Sequence, residues 1–508
     1  MVFTISEHVN RDLNGISFTE AMKMAKFGKF QYFLILISGL FIGSTFFETM
    51  GINYVLPVAE CDLGITSKSQ YGLISGIWFA GIILTSHSWG FLSDAYGRKK
   101  MLMIASLSAF VASVLSSLAI NLWQMMLFRL INGLCISGAT SIVFAYLGEF
   151  LNDKNRSRSM MAASVIFGGC CLILPVLAWL IINQKWSFVI PIIQVTYKPW
   201  RFFLIVSGSL SLICGLSLFF LPESPKFTFS QGDEQRTLKI LSKIYKINTG
   251  DNNYSVHKLK PNEEFGETGK GKNVFSQMGQ QTSALFSNYT RSIIIVSVMQ
   301  FGIYFVCNGM LLFFPHILNQ TSKFLDENAN ATDTHICEIV ETTIRVQREQ
   351  QALQVEQICI DELAISAYYY TMILESCYVT GFLLISWMVN YTGRLVIFSF
   401  LFFTTSICGF TINYVGTTVG VYLYVWLLAC GMNYTLLSTV TYDLFPTNLR
   451  SLAMSLSLMC GRLGSLVGGN IAGYLLEQYC DLTFTLSGVV LFCSGILTFL
   501  IPNIMKMK

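Results

Sequence analysis

Four ionisable side chains sit inside long apolar runs of this 508-residue sequence: Glu48, Arg129, Glu375 and Arg462. A charge in the middle of a bilayer costs about 3 kcal/mol even on lenient insertion scales, unless it is paired or wetted. Each of the four therefore needs a partner or a task. Glu48 lies about nine residues from the outer end of the first apolar run, which is its C-terminal end, and Arg129 about seven from the outer end of the fourth, which is its N-terminal end. At ~1.5 Å of rise per residue these depths agree within a few ångströms, so the two are expected to pair on a cavity wall. Such a pair is either a static brace or a carboxylate that exchanges its cation for a proton, which is coupling chemistry. Glu375 and Arg462 both fall near the middle of their runs and suggest a second charged locus in the second half of the chain, either solute-binding or structural.

A second set of charges stands at the ends of runs, and it is repeated. Gly90-Phe-Leu-Ser-Asp94-Ala-Tyr-Gly97-Arg98-Lys99-Lys100 separates the second and third runs, and Ser386-Trp-Met-Val-Asn390-Tyr-Thr-Gly393-Arg394 separates the eighth and ninth. Glu149 precedes Arg156 by seven residues, and Asp443 precedes Arg450 by the same spacing. Glycine permits a tight turn, and Asp94 is expected to cap the helix that follows and to pair with a cation. Glu149 and Asp443 fall where two halves would meet on one face and could form ion pairs that hold a gate shut. The chain thus reads as one six-run unit written twice, the sequence mark of parallel transporter repeats.

The elements that must position these groups follow from composition. Apolar residues make up 53% of the chain and charged residues 12%, about half the charged share of a soluble domain. Lipid must be the solvent for most of this surface. A net charge of +4 without a long basic run argues against a nucleic-acid partner. The fourteen cysteines include no CxxC pair and no Cys/His cluster, so neither a metal centre nor a disulfide scaffold is expected, and no cofactor. A bilayer core takes about twenty apolar residues per helix. Runs of that kind lie near 31–57, 71–92, 100–120, 122–147, 160–183 and 201–221, then near 291–318, 364–389, 395–414, 418–442, 452–476 and 483–503. The expected architecture is an all-α polytopic membrane protein with twelve transmembrane helices in two six-helix halves. Its parts are a tail at 1–30, a half at 31–221, a linker at 222–290, a second half at 291–503 with an outer loop at 319–363, and a tail at 504–508. Lys and Arg crowd the N-terminal tail, the motif loops, the linker and the C-terminus. The positive-inside rule then places both termini in the cytosol.

At this point the chain resembles a known family. Gly90 to Lys100 is similar to the signature loop of the major facilitator superfamily, and Pro222-Glu-Ser-Pro-Lys-Phe227 to an element of its sugar and organic-ion porters. Within that group the chain is most similar to the synaptic vesicle glycoprotein 2 family and its insect relatives. That likeness rests on Tyr54 to Glu60, Ala178-Trp179 with Trp186-Ser-Phe188, Pro222 to Phe227, and Asp443 to Arg450. The resemblance implies secondary active or facilitative transport of a small organic solute by alternating access, with proton coupling open, and not an enzyme. The alternative it keeps is a non-transporting regulator or receptor of a vesicle or plasma membrane. It further implies that Trp179 lines a central pocket facing Tyr434, that an aromatic clamp forms there, and that Arg462 occupies a family basic position. Asn433, Asn308 and Tyr304 would add polar contacts. The outer loop lacks the long repeat-bearing domain of the vertebrate vesicle proteins.

That loop carries two Asn-x-Thr triplets, at Asn319 and Asn330, where glycosylation is expected. Cys337 and Cys359 share it and could form a disulfide. In the linker, Asp233–Ile247 reads as an amphipathic helix with Leu238, Leu241 and Tyr245 on one face.

Overall fold

The computed structural model describes residues 15–191, 195–260, 282–327, 334–352, 363–446 and 449–501. The first half begins with a short helix, α1 (Phe18–Met24), and six long ones follow: α2 (Lys29–Leu63), α3 (Lys68–Tyr96), α4 (Arg98–Ser117), α5 (Leu122–Glu149), α6 (Asp153–Ile182) and α7 (Pro199–Ser217). The third and fourth expected runs are indeed separate. Asn121 caps α5, its Oδ1 accepting from Gln124 N at 2.9 Å, and this side chain ends the continuous apolar stretch. Between α6 and α7 a small antiparallel hairpin, β1 (Phe188–Ile190) and β2 (Val195–Tyr197), pairs Phe188 with Tyr197, and Trp186 stacks on both rings.

Two linker helices come next, α8 (Pro225–Ser230) and α9 (Glu234–Thr249). The second half contains α10 (Thr290–Leu311), α11 (Phe314–Glu327), α12 (Ile336–Ala352), α13 (Ile365–Thr392), α14 (Arg394–Thr411), α15 (Thr417–Leu428), α16 (Asn433–Leu444), α17 (Arg450–Gln478) and α18 (Cys480–Thr498). Ten helical stretches among the described residues are long and apolar enough to cross a membrane, and α3 and α13, at 29 and 28 residues, complete twelve. Two spans are interrupted. The seventh is α10 followed by α11, so the expected outer loop begins as helix. The tenth breaks at a 3₁₀ turn, Ala429–Met432, between α15 and α16.

Within the first half α3 packs on α5, α4 on α5 and α7, and α2 on α6 and α7; in the second half α10 packs on α17 and α14 on α18. The halves meet where α3 lies against α17 and α6 against α13. Both motif turns use a glycine at positive φ, Gly97 at +103° and Gly393 at +78°, which a side chain would strain.

The linker helix α9 buries Thr237, Ile240, Leu241 and Ile244, so its packed face is centred one residue from the expected stripe. Leu238 and Tyr245 pack at its margin. Asn248 at its end accepts from Phe30 N at 3.0 Å and donates to Lys26 O at 2.8 Å, fastening the linker to the start of α2. Tyr254 donates to Ala21 O at 2.8 Å, and burial raises its phenol pKa, so the donor stays protonated.

Candidate functional site

Glu48 on α2 and Arg129 on α5 form an ion pair of 3.3 Å, with side chains 2% and 1% exposed. Arg129 also donates to the backbone carbonyl of Glu48, and Ser113 Oγ donates to the carboxylate. Asn132 Nδ2 donates to Ser113 Oγ at 2.9 Å and to Ala109 O at 3.1 Å, while its Oδ1 accepts from Trp78 Nε1 at 2.8 Å. Four helices, α2 to α5, thus contribute to one buried network. It lies inside the first half rather than on an open cavity wall as the sequence suggested. Equal depth brought the two charges together; the small Gly208 beside Glu48 Oε1 leaves room for the carboxylate.

The second half is arranged differently. Glu375 on α13 is 8% exposed, and no hydrogen bond or ion pair joins it to another group among the described residues. It lines a narrow cavity between the halves, with Phe46, Asn53 and Tyr54 of α2, Leu174 of α6 and Leu311 of α10. It does not meet Arg462. That guanidinium lies on α17 and donates to Ser86 Oγ of α3 across the seam, so the expected acid–base locus is not formed. Equal depth is insufficient when α13 and α17 do not pack together. Tyr304 and Tyr434 do meet, edge to face at 5.5 Å. Asn433, the first residue after the break in the tenth span, is fully buried, and neither of its amide atoms has a partner among the described residues. Asn308 donates to Ser465 Oγ at 2.8 Å and joins α10 to α17. Trp179 is 44% exposed and does not stack with Tyr434, whose ring partner is Tyr304, so the expected clamp is absent in this conformation.

On the linker face Arg98 gathers the motif. It pairs with Asp94 at 2.6 Å and Glu149 at 3.1 Å, and its guanidinium lies 5.4 Å from the Phe227 ring centre. Asp94 does not cap α4. It belongs to the last turn of α3, and the turn at Gly97 carries it past the α4 amides. The cap comes from Glu223 of the Pro-Glu-Ser-Pro element, whose Oε1 accepts from Lys99 N at 3.0 Å. A Cβ at residue 97 would stand 2.5 Å from Glu223 Oε2, a second reason for glycine there. Glu149 therefore pairs within its own half. Arg156 is exposed at the start of α6 and Arg394 is half-buried at the start of α14. The side chains of Asn390, Asp443 and Arg450 lie outside the described residues.

The opposite face is where the halves are sealed. Gly72 of α3 meets the Gly469–Asn470 backbone of α17, and Gly473 meets Lys68. Lys68 N donates to Glu477 Oε1 at 2.6 Å, and Lys68 Nζ pairs with Glu60 at 2.8 Å. Tyr71 donates to the same Glu60 carboxylate at 3.0 Å and stacks on Phe313. Asn183 donates to Leu363 O at 2.9 Å and accepts from Tyr368, which itself stacks on Tyr54. The glycine contacts were not legible beforehand, because backbone approach at glycine leaves no charge or aromatic signal, and the charged and aromatic pairs join helices whose facing the sequence does not give.

Two expectations at this face are corrected. Asn319 is fully buried in α11, with Oδ1 accepting from Ala364 N at 2.7 Å, so a glycan has no room there. Asn330 lies outside the described residues. Cys337 is bonded to Cys480, at the start of α18, and not to Cys359, which lies outside the described residues. Cys61 is disulfide-bonded too, so the fold holds more cross-links than the scattered cysteines implied. No group of three or more His, Cys, Asp or Glu able to hold a metal occurs among the described residues.

Two interlocked helical halves that meet along a mid-depth seam define the architecture as that of a polytopic helical membrane protein. The Major Facilitator Superfamily matches residues 36–329, and the chain belongs to that family. Human synaptic vesicle glycoprotein 2B is 28% identical over 314 residues, covering 57% of this chain and 46% of that protein. Organic cation/carnitine transporter 7 of Arabidopsis thaliana is 29% identical over 229 residues, 45% of this chain and 43% of its own. The chain thus spans about half the length of the curated relatives it matches. The E. coli xylose transporter in a partially occluded inward-open conformation superposes with a TM-score of 0.64 at 14% identity, over 94% of this chain and 98% of that one.

Proposed function

We propose that this protein is a secondary transporter that moves a small organic solute across a membrane by alternating access. The observation that carries this reading is the seam. One face is closed by separable contacts, Gly72 on Gly469 and Lys68 on Glu477, while a cavity at mid-depth is lined by both halves. Rocking of the 31–221 unit against the 291–503 unit would part those contacts and expose the cavity on the sealed side. In this reading the linker face is cytosolic, along with both termini, and the Arg98 cluster biases the gate on that face. Asn390, Arg394, Asp443 and Arg450 form the counterpart in the second half, with Arg156 between them. Glu48 and Arg129 serve coupling: a carboxylate that gives up its arginine takes a proton in exchange. Tyr304, Asn308, Asn433, Tyr434 and Trp179 converge on the solute when the halves move. The chain carries no chemistry of its own and is not an enzyme. The membrane is vesicular or plasma, by analogy with relatives named for synaptic vesicles and for organic cation transport. An untargeted metabolite comparison of cells with and without the protein tests the reading. Saturable, stereoselective uptake of at least one solute is expected. Normal solute profiles with disturbed vesicle traffic would overturn it.

A further inference from the structure

Three membrane-buried arginines are committed to partners. Arg129 holds Glu48, Arg462 donates to Ser86, and Arg201 donates to the carbonyls of Ser117 and Ala119 at the end of α4. Of the two mid-membrane carboxylates, Glu48 is equally committed. Glu375 faces a cavity instead, and none of the residues lining that cavity is basic. Among the described residues, the titratable groups that feel its charge include Tyr54, Cys171, Cys307 and Tyr378, none of which is a cation in any protonation state. An anionic solute would therefore find only a repelling or neutral wall here. A cation would find a carboxylate and the rings of Phe46 and Tyr54, and aromatic faces attract a desolvated ammonium.

We propose that Glu375 is the anionic end of a binding site for a monovalent organic cation, of the small ammonium class, on the seam between the halves. The assignment rests on the transport reading above. In the conformation described the cavity is constricted to roughly the space of one water. Its walls belong to α2 and α6 on one side and α10, α11 and α13 on the other, so the motion that opens the seam also widens the site. Bound cation and carboxylate neutralise one another, which lets the pair stay in the low-dielectric interior through the transition.

The test uses the full chain, reconstituted in proteoliposomes, with radiolabelled choline and tetraethylammonium as probes. Choline's uncharged carbon isostere, in which tert-butyl replaces trimethylammonium, is the matched control, and xylose and benzoate represent neutral and anionic solutes. Saturable uptake of at least one ammonium probe is expected, enhanced by an inside-negative potential and not inhibited by the isostere. Glu375→Gln should lower uptake efficiency at least ~10-fold, the scale of a lost charge-assisted contact, and Glu375→Asp should recover part of it, both at unchanged thermal stability. Uptake of xylose or benzoate with no uptake of either cation overturns the cation site and leaves transport standing. So does undiminished cation uptake by Glu375→Gln. Failure of all four solutes to move in vesicles holding folded protein overturns the site and counts against transport itself.

Discussion

The two halves bury their charges in opposite ways. In the first, Glu48 and Arg129 are locked in a network that four helices complete, and almost every polar atom in it has a partner. In the second, Glu375 stands against a cavity with no ion-pair partner among the described residues, Asn433 is buried and unsatisfied, and the tenth span is broken beside Asn433. Burial without a partner is costly, and it persists where a ligand or a motion supplies the missing contact. In the conformation described the first half satisfies its buried charges, whereas the second leaves Glu375 and Asn433 without a partner among the described residues.

The sharpest way to break this contrast is Arg129→Ala. It strands the Glu48 carboxylate, and a destabilisation of about 3–5 kcal/mol is expected. Loss of monodisperse protein on size-exclusion chromatography measures it, and the double change Glu48→Gln with Arg129→Gln should recover much of the loss. Glu375→Gln should instead leave folding intact, since it removes no contact. Equal instability of the two would erase the distinction between the halves.

Next in size is the seam. Gly72→Trp places a ring against the Gly469 backbone, so the closed arrangement described here should be lost while the protein still folds. A cysteine introduced at Asn53 should then become reactive to impermeant reagents from the formerly sealed side, whereas it is protected in the parent. Glu48→Gln should act more narrowly. Proton-driven accumulation is expected to vanish while exchange of labelled for unlabelled solute continues, because exchange needs no net proton movement. Undiminished accumulation with its pH dependence intact would make the pair a brace. Arg98→Gln should slow maximal turnover several-fold with little change in half-saturation. Arg98 touches Asp94, Glu149 and Phe227, none of which lines the mid-depth cavity. The smallest expected effect is none: Asn319→Gln should not alter electrophoretic mobility, because the buried amide carries no glycan.

Depth and repetition were legible in the sequence. Hydropathy marked twelve helices, and spacing placed Gly97 and Gly393 at equivalent turns of positive φ. Glu48 and Arg129 were matched by depth alone, and this sufficed because α2 and α5 are packed together. The same reasoning failed for Glu375 and Arg462, since depth says nothing of which way a helix face points. Asp94 was misassigned as a cap because the true cap is not a local property of the loop. The carboxylate that serves Lys99 N belongs to Glu223, 124 positions further along the chain. The Cys337–Cys480 bridge was hidden for the same reason, with a separation of 143 residues between its ends.

The glycines of α17 carry one more consequence. Gly464 and Gly468 rest on the backbone of α10, and Gly469 and Gly473 rest on the backbone of α3. At these glycines the backbones approach closely with no side chain between them, and the interfaces are otherwise pinned by Arg462 on Ser86 and Asn308 on Ser465. In mechanical terms α17 is a bearing held by two pins: it carries load against both neighbours, and any sliding must first release those two hydrogen bonds. Wear in such a bearing would come from bulk, and even one added methyl group on the α3-facing side would act as a brake.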